Sequence, residues 1–261
     1  MTTAVESVTH RPETSPAPVP ARRAWVETVM GIPVSVHVRA VDPARPDVEA
    51  AVARVFGHLR RVDAVFSTWR ADSDLLRLQH REIDEVHAWL ADVAELCLEA
   101  EDRTDGLFSA WRRRGTGRQV FDPSGLVKGW AAAGAAAHLD VVPELAYSLG
   151  AGGDVVVGAG RGVGADAPTW RIGIEDPRRA GHVARVVDVQ RGAVATSGAA
   201  RRGAHVVDPR TGRGVDRPGS CTVVGPDLLW ADVWATAAWV DPVRTAALMV
   251  HRAPDHRLLL L

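Results

Sequence analysis

The sequence has no asparagine, one tyrosine, two cysteines and one lysine. Cys97 and Cys221 lie far apart and form no CxxC pair, so no disulfide framework is expected. Both fall on apolar patterns, Cys97 on a helix face and Cys221 beside Thr222-Val223-Val224, and both read as core filling. No apolar run approaches the roughly 18–20 residues of a membrane span. The N-terminus lacks the basic start, apolar core and small-residue cleavage site of a signal peptide, so a cytoplasmic location is expected. Blocks of one charge are also missing. The 31 basic and 32 acidic residues give a net charge of −1, and no like-charge run exceeds Arg112–Arg114. That sets aside nucleic acid as a partner.

Several common chemistries lack their motifs. Gly158–Gly164 is not GxGxxG, because Val163 occupies the last required glycine. The looser GxGxxA from Gly160 to Ala165 meets Pro168 too soon for the helix it must open. Lys128 is followed by Gly129, so there is no phosphate-binding GxxxxGK[ST] loop, and neither HExxH nor GxSxG occurs.

What is present is 261 residues with 46% hydrophobic content, enough for one large core or two modest lobes. Residues 1–22 are polar and proline-rich and read as a disordered tail, leaving 23–261 as a single domain. Strand alternation begins at Trp25 and continues through Val34, Val36 and Val38. Pro43 and Pro46 then break the chain, and Asp47 can cap the next helix. That helix carries Val52, Val55, Phe56, Leu59, Val62 and Phe66 at helical spacing. A second amphipathic helix is expected from about Asp84 to Arg103, and an Ala-rich one from about Val127 to His138. Strands are expected at Tyr147–Leu149, Val155–Val157, Trp170–Ile174, Val186–Val189 and Cys221–Val224, helices at Trp230–Val240 and Pro242–His251, and an edge strand at Leu258–Leu261. Helices and strands mix without regular alternation, which predicts an α+β fold.

Three constellations can carry chemistry. Asp122-Pro-Ser-Gly125-Leu-Val-Lys128-Gly129 places a tight turn at a helix start, with Lys128 in the first turn, and suits an anionic ligand. A capped loop with a surface lysine is the plainer reading. Lys128 is the one lysine among 31 basic residues: either one codon that escapes a high-GC bias, or a compact ammonium where a planar guanidinium would not serve. Asp232 and Thr236 share one helix face and offer hard oxygen ligands for Mg²⁺ or Ca²⁺. Alternatively, Asp232 caps that helix. His205, ahead of Asp208-Pro-Arg-Thr-Gly212, is either a general base or a satisfied core histidine.

In order along the chain, these pieces resemble the FAD:protein FMN transferase family, also called ApbE. The resemblance covers roughly Val29 to Val240. It rests on Met30–Val36, Phe66–Arg70, Thr104–Ser109, Asp122–Gly129, Gly152-Gly153-Asp154, Ala195–Gly198, His205–Gly212 and Ala231–Thr236. It implies a T-fold-like α+β architecture of mixed and antiparallel sheets with packed helices. It also implies transfer of FMN from FAD to a Thr or Ser of an acceptor protein, with release of AMP. The implied cation is Mg²⁺, with Ca²⁺ or Mn²⁺ as alternatives. FAD contacts are implied for Met30, Trp69, Leu107, Phe108, Ser109, Asp122, Lys128 and Val206. Metal contacts are implied for Asp232, Thr236 and the Gly125 carbonyl. By the same resemblance Lys128 is expected to face the phosphates, and His205 is the candidate for proton transfer. Ser109 stands where the family usually has Asp, and the segment from Ser109 to Phe121 is short and Arg-rich. An FAD pyrophosphatase using the same groups, or a flavin-binding accessory protein, are the alternatives.

Overall fold

A computed structural model describes residues 20–114, 118–164, 167–198 and 206–261. The chain opens with an antiparallel hairpin, β1 (Ala21–Val29) and β2 (Ile32–Ala40). The first strand starts at Ala21, ahead of the Trp25 expected from alternation, because its pairing runs the full length of β2, with Ala21 opposite Ala40. Helices α1 (Pro46–Phe66), α2 (Asp74–Gln79) and α3 (Ala88–Arg103) come next. Pro46 does not break the chain. It occupies the first turn of α1, where its missing N–H costs nothing. Asp47 therefore lies in that turn and is not the N-cap, which is Arg45 without a side-chain bond. The third helix begins at Ala88, four residues later than expected, where His87 Nδ1 accepts from the Trp89 N–H at 3.2 Å.

A short hairpin, β3 (Trp111–Arg114) and β4 (Arg118–Phe121), leads into α4 (Ser124–Asp140). Next come β5 (Ala146–Ala151) and β6 (Asp154–Ala159), then the ribbon β7 (Trp170–Glu175) and β8 (Val183–Val189). After these lie β9 (Gly192–Gly198), the small pair β10 (Val207–Asp208) and β11 (Arg213–Gly214), and β12 (Ser220–Gly225). α5 (Leu228–Val240), α6 (Pro242–Arg252) and β13 (Arg257–Leu260) complete the order.

Seven strands form one sheet in the order β1-β2-β5-β6-β9-β12-β13, and every pairing in it is antiparallel. Period-two alternation decides what each face meets. Ala193 and Ala195 of β9 join the main core with α4 and α5, whereas Val157 and Val194 turn the other way and pack on Ile174, Val187 and Val189 of the ribbon. α4 contacts α1, α5 and the strands β5 and β6, while α5 lies across β9 and β12. Alanines Ala131, Ala132, Ala135 and Ala136 bury α4 without bulk, which lets it sit between two helices. Both cysteines are free and buried. Among the described residues, no helix is long and apolar enough to cross a membrane.

Candidate active site

The turn between β5 and β6 is Gly152-Gly153, with φ of +61° and +110°. The second value excludes a side chain for practical purposes. This sharp reversal delivers Asp154 as the first residue of β6, where it is 1% exposed. Its Oδ1 accepts the Thr196 N–H from β9 at 2.9 Å, and its Oδ2 pairs with the ammonium of Lys128 in the second turn of α4. The same ammonium lies 3.3 Å from Asp232 Oδ1 on α5. The two helices can approach this closely because position 129 is glycine. A Cβ there would lie 2.9 Å from the Leu228 carbonyl oxygen and 3.2 Å from Asp232 Cβ.

Burial opposes the charge on Lys128, but Asp232 and Asp154 outweigh it and push its pKa up to about 12, so the ammonium stays charged. The capping role considered for Asp232 belongs to another residue: Asp227 Oδ1 accepts the Trp230 N–H at 2.8 Å. Asp232 is buried within the helix, and Thr236, one turn on, lies with its hydroxyl 3.4 Å from that of Ser197.

Lys128, Ser197, Asp232 and Thr236 border a cavity of about 900 Å³. Leu107, Phe108, Trp111, Ile172 and Ile174 give it apolar wall, while Asp122, Lys128, Thr196, Ser197, Asp232 and Thr236 give it polar wall. Phe108 packs on the first turn of α4, its Cε2 at 3.2 Å from where a Gly125 Cβ would stand, so a larger side chain there would have to shift the ring. Asp122 accepts from Ser124 N–H at 3.2 Å and pairs with Arg112 at 3.2 Å. On another part of the rim, Arg210 is held by Asp208 at 3.0 Å, and the guanidinium hydrogen bonds keep the Asp208 carboxyl below its ordinary range.

Of the residues expected at the site, Leu107, Phe108, Ser109, Asp122, Gly125, Lys128, Val206, Asp232 and Thr236 line this cavity. Met30 does not. It sits in the β1–β2 turn at φ +56° and packs against the main core. Trp69 does not either: it projects from the turn after α1 and is 93% exposed. His205 lies outside the described residues. Sequence reasoning assigns no role to Glu101, Asp154, Thr196 or Ser197. Glu101 is on the cavity wall, where its Oε2 accepts from the Ser109 hydroxyl at 2.9 Å. A carboxylate thus stands beside the serine, supplied from α3. Neither cysteine can serve as a nucleophile, since burial pushes Cys97 up to about 12 and Cys221 up to about 11.

No cluster of three or more His, Cys, Asp or Glu suited to a metal occurs among the described residues. The donor set at the cavity is instead one carboxylate and one hydroxyl on the same face of α5, near the first turn of α4. That set fits Mg²⁺, which takes one or two carboxylates and completes its shell with water and substrate phosphate.

The ApbE family model matches residues 30–114 and 110–260. The chain belongs to the ApbE family. An FAD:protein FMN transferase of Klebsiella pneumoniae is 28% identical over 86% of this chain and 81% of its own length. The ApbE protein of Thermotoga maritima superposes with a TM-score of 0.73 at 20% identity, covering 92% of this chain and 94% of that one. The flavinyl transferase ApbE of Pseudomonas stutzeri gives 0.71 at 21% identity, covering 90% of each. These two likenesses bear on the fold, which is the α+β arrangement with antiparallel sheet expected for an ApbE chain.

Proposed function

We propose that this chain is an FAD:protein FMN transferase. It moves FMN from FAD onto a Thr or Ser hydroxyl of an acceptor protein and releases AMP. The observation that carries this reading is the buried Lys128 ammonium, held by Asp154 and Asp232 at the wall of a cavity large enough for FAD, within an ApbE fold.

The acceptor hydroxyl oxygen attacks the phosphorus on the FMN side of the pyrophosphate. A new P–O bond forms, the P–O bond to AMP breaks, and AMP leaves with the bonding electrons. Such a reaction depends on placement and charge neutralisation more than on covalent chemistry by the protein. Lys128 and the positive end of α4 attract the pyrophosphate. Phe108, Leu107 and Trp111 offer apolar surface to a ring system, and Glu101 and Asp122 offer acceptors for its N–H and O–H groups. His205, next in sequence to the cavity residue Val206, is assigned the proton of the acceptor hydroxyl on sequence grounds. Asp232, Thr236 and the Gly125 carbonyl would hold a divalent cation, with Mg²⁺ favoured by the oxygen donors and Ca²⁺ or Mn²⁺ as alternatives. Its contribution when bound is to neutralise pyrophosphate charge.

The test combines the purified chain with FAD, Mg²⁺ and a protein bearing a Thr or Ser acceptor motif, then intact mass measurement. A gain of one FMN on the acceptor with AMP in solution is the expected result. Free FMN and AMP with an unchanged acceptor would make the chain a pyrophosphatase. FAD binding without AMP would make it a flavin-binding accessory protein.

A further inference from the structure

We infer that Asp154 is a positioning residue that anchors the Lys128 ammonium and so limits its competition with a divalent cation for Asp232. This rests on the proposed role of Asp232 and Thr236 in holding the cation.

Asp154 is built to stay in place. It begins β6 directly after two glycines with positive φ, is 1% exposed, and divides its oxygens between two different elements. Oδ1 takes the Thr196 N–H of β9, and Oδ2 takes the Lys128 ammonium of α4. Turning the carboxylate would sacrifice both contacts. Asp154 does not border the cavity, whereas Lys128 and Asp232 do. It therefore acts on the cavity through the lysine.

Lys128 makes the closer of its two carboxylate contacts with Asp154, and the longer, 3.3 Å, with Asp232 Oδ1. An ammonium has three donors, so one remains for a substrate oxygen after these two. The ammonium and a divalent cation compete for the same Asp232 oxygens. While Asp154 keeps the ammonium on the β6 side, the ammonium competes less with a cation for Asp232. Without that anchor the buried ammonium has one carboxylate left from this pair and settles on it, because an uncompensated buried charge is strongly unfavourable. The lysine would then occupy the cation's ligand.

The experiment is Mn²⁺ titration of the full chain without FAD, reading free Mn²⁺ by electron paramagnetic resonance and checking each variant's melting. Loss of a group that orients a metal ligand costs about 10–100-fold in affinity. Asp154→Asn is expected to weaken Mn²⁺ binding by about tenfold, and Asp154→Glu to restore most of it. Lys128→Met is expected to bind Mn²⁺ at least as tightly as the parent chain. In the Lys128→Met background, Asp154→Asn is expected to have no further effect.

Unchanged affinity in Asp154→Asn overturns the inference. So does an equal loss with and without Lys128, which would place the effect in the fold. Should Asp154→Asn not fold, Lys128→Met decides the matter, since weaker Mn²⁺ binding there contradicts competition by the ammonium. Equal Mn²⁺ binding by the parent chain and Asp232→Ala would remove the cation assignment itself, and this inference with it.

Discussion

Lys128 shows why one side chain cannot stand in for another of the same charge. Its ammonium fits between Asp154 and Asp232, where α4 and α5 meet at Gly129. A guanidinium is wider, planar and fixed in its donor directions. Lys128→Arg is therefore expected to keep the charge but lower kcat/KM by about 100-fold, as measured with FAD and acceptor. The lysine is legible in the sequence because the other basic residues are arginine. The role of Asp154 is not, since Gly152-Gly153-Asp154 enters only as a segment of the resemblance, and only the β5–β6 reversal aims its carboxylate at a residue on α4. Trp69, an FAD contact on the resemblance alone, stands in the turn after α1 and is 93% exposed. At this scale the cysteines give a second expectation. Buried thiols with raised pKa values react as thiolates only on unfolding. Mass spectrometry after iodoacetamide at mildly alkaline pH should find Cys97 and Cys221 unmodified in the native chain and both modified in urea.

Among the elements, the pairing of α4 with α5 matters most, because each carries part of the charged cluster. Gly129→Ala would push a methyl against the Leu228 carbonyl and Asp232 Cβ. Overpacking of this kind costs about 1–3 kcal/mol. Urea unfolding should show that loss, and turnover should fall with it as Lys128 and Asp232 separate. The amphipathic α1 is readable from its apolar stripe, with Val52, Val55, Phe56, Leu59 and Val62 all buried as their spacing requires. Its start is harder to read, because a proline signals both a break and a first turn, and both signals look alike in the sequence. The extent of α4 is also hidden. Ser124 and Gly125 look like turn residues, yet they belong to the helix, and Phe108 packs closely on Gly125.

For the molecule as a whole, acid is expected to weaken the fold. His58, His138 and His256 each have a lowered pKa, with burial as the first cause. For His58, on α1 among Trp89, Trp130 and His138, the charges of His138 and Arg61 add to burial. For His138 they are Arg54 and Arg61. For His256, Arg103 adds to burial while Asp227 and Asp255 oppose it. The unfolded chain takes up these protons more readily, so stability is complete above the ordinary histidine pKa of about 6.5 and is lost as pH falls through the lowered folded values. The carboxylates of Asp105 and Asp208, lowered by hydrogen bonds from Arg244 and Arg210, extend the loss to more acidic pH. The melting temperature should fall from about pH 7.5 to about pH 5, and His58→Gln should flatten that fall.

The spacing of the charged cluster along the chain also sets a timetable for its assembly. Asp154 comes 26 residues after Lys128, whereas Asp232 comes about 100 after it. At a synthesis rate of about 5–20 residues per second, the first carboxylate reaches the ribosome exit roughly 1–5 s after the lysine, and the second only after roughly 5–20 s. The anchor of the nascent lysine is thus available well before its second carboxylate.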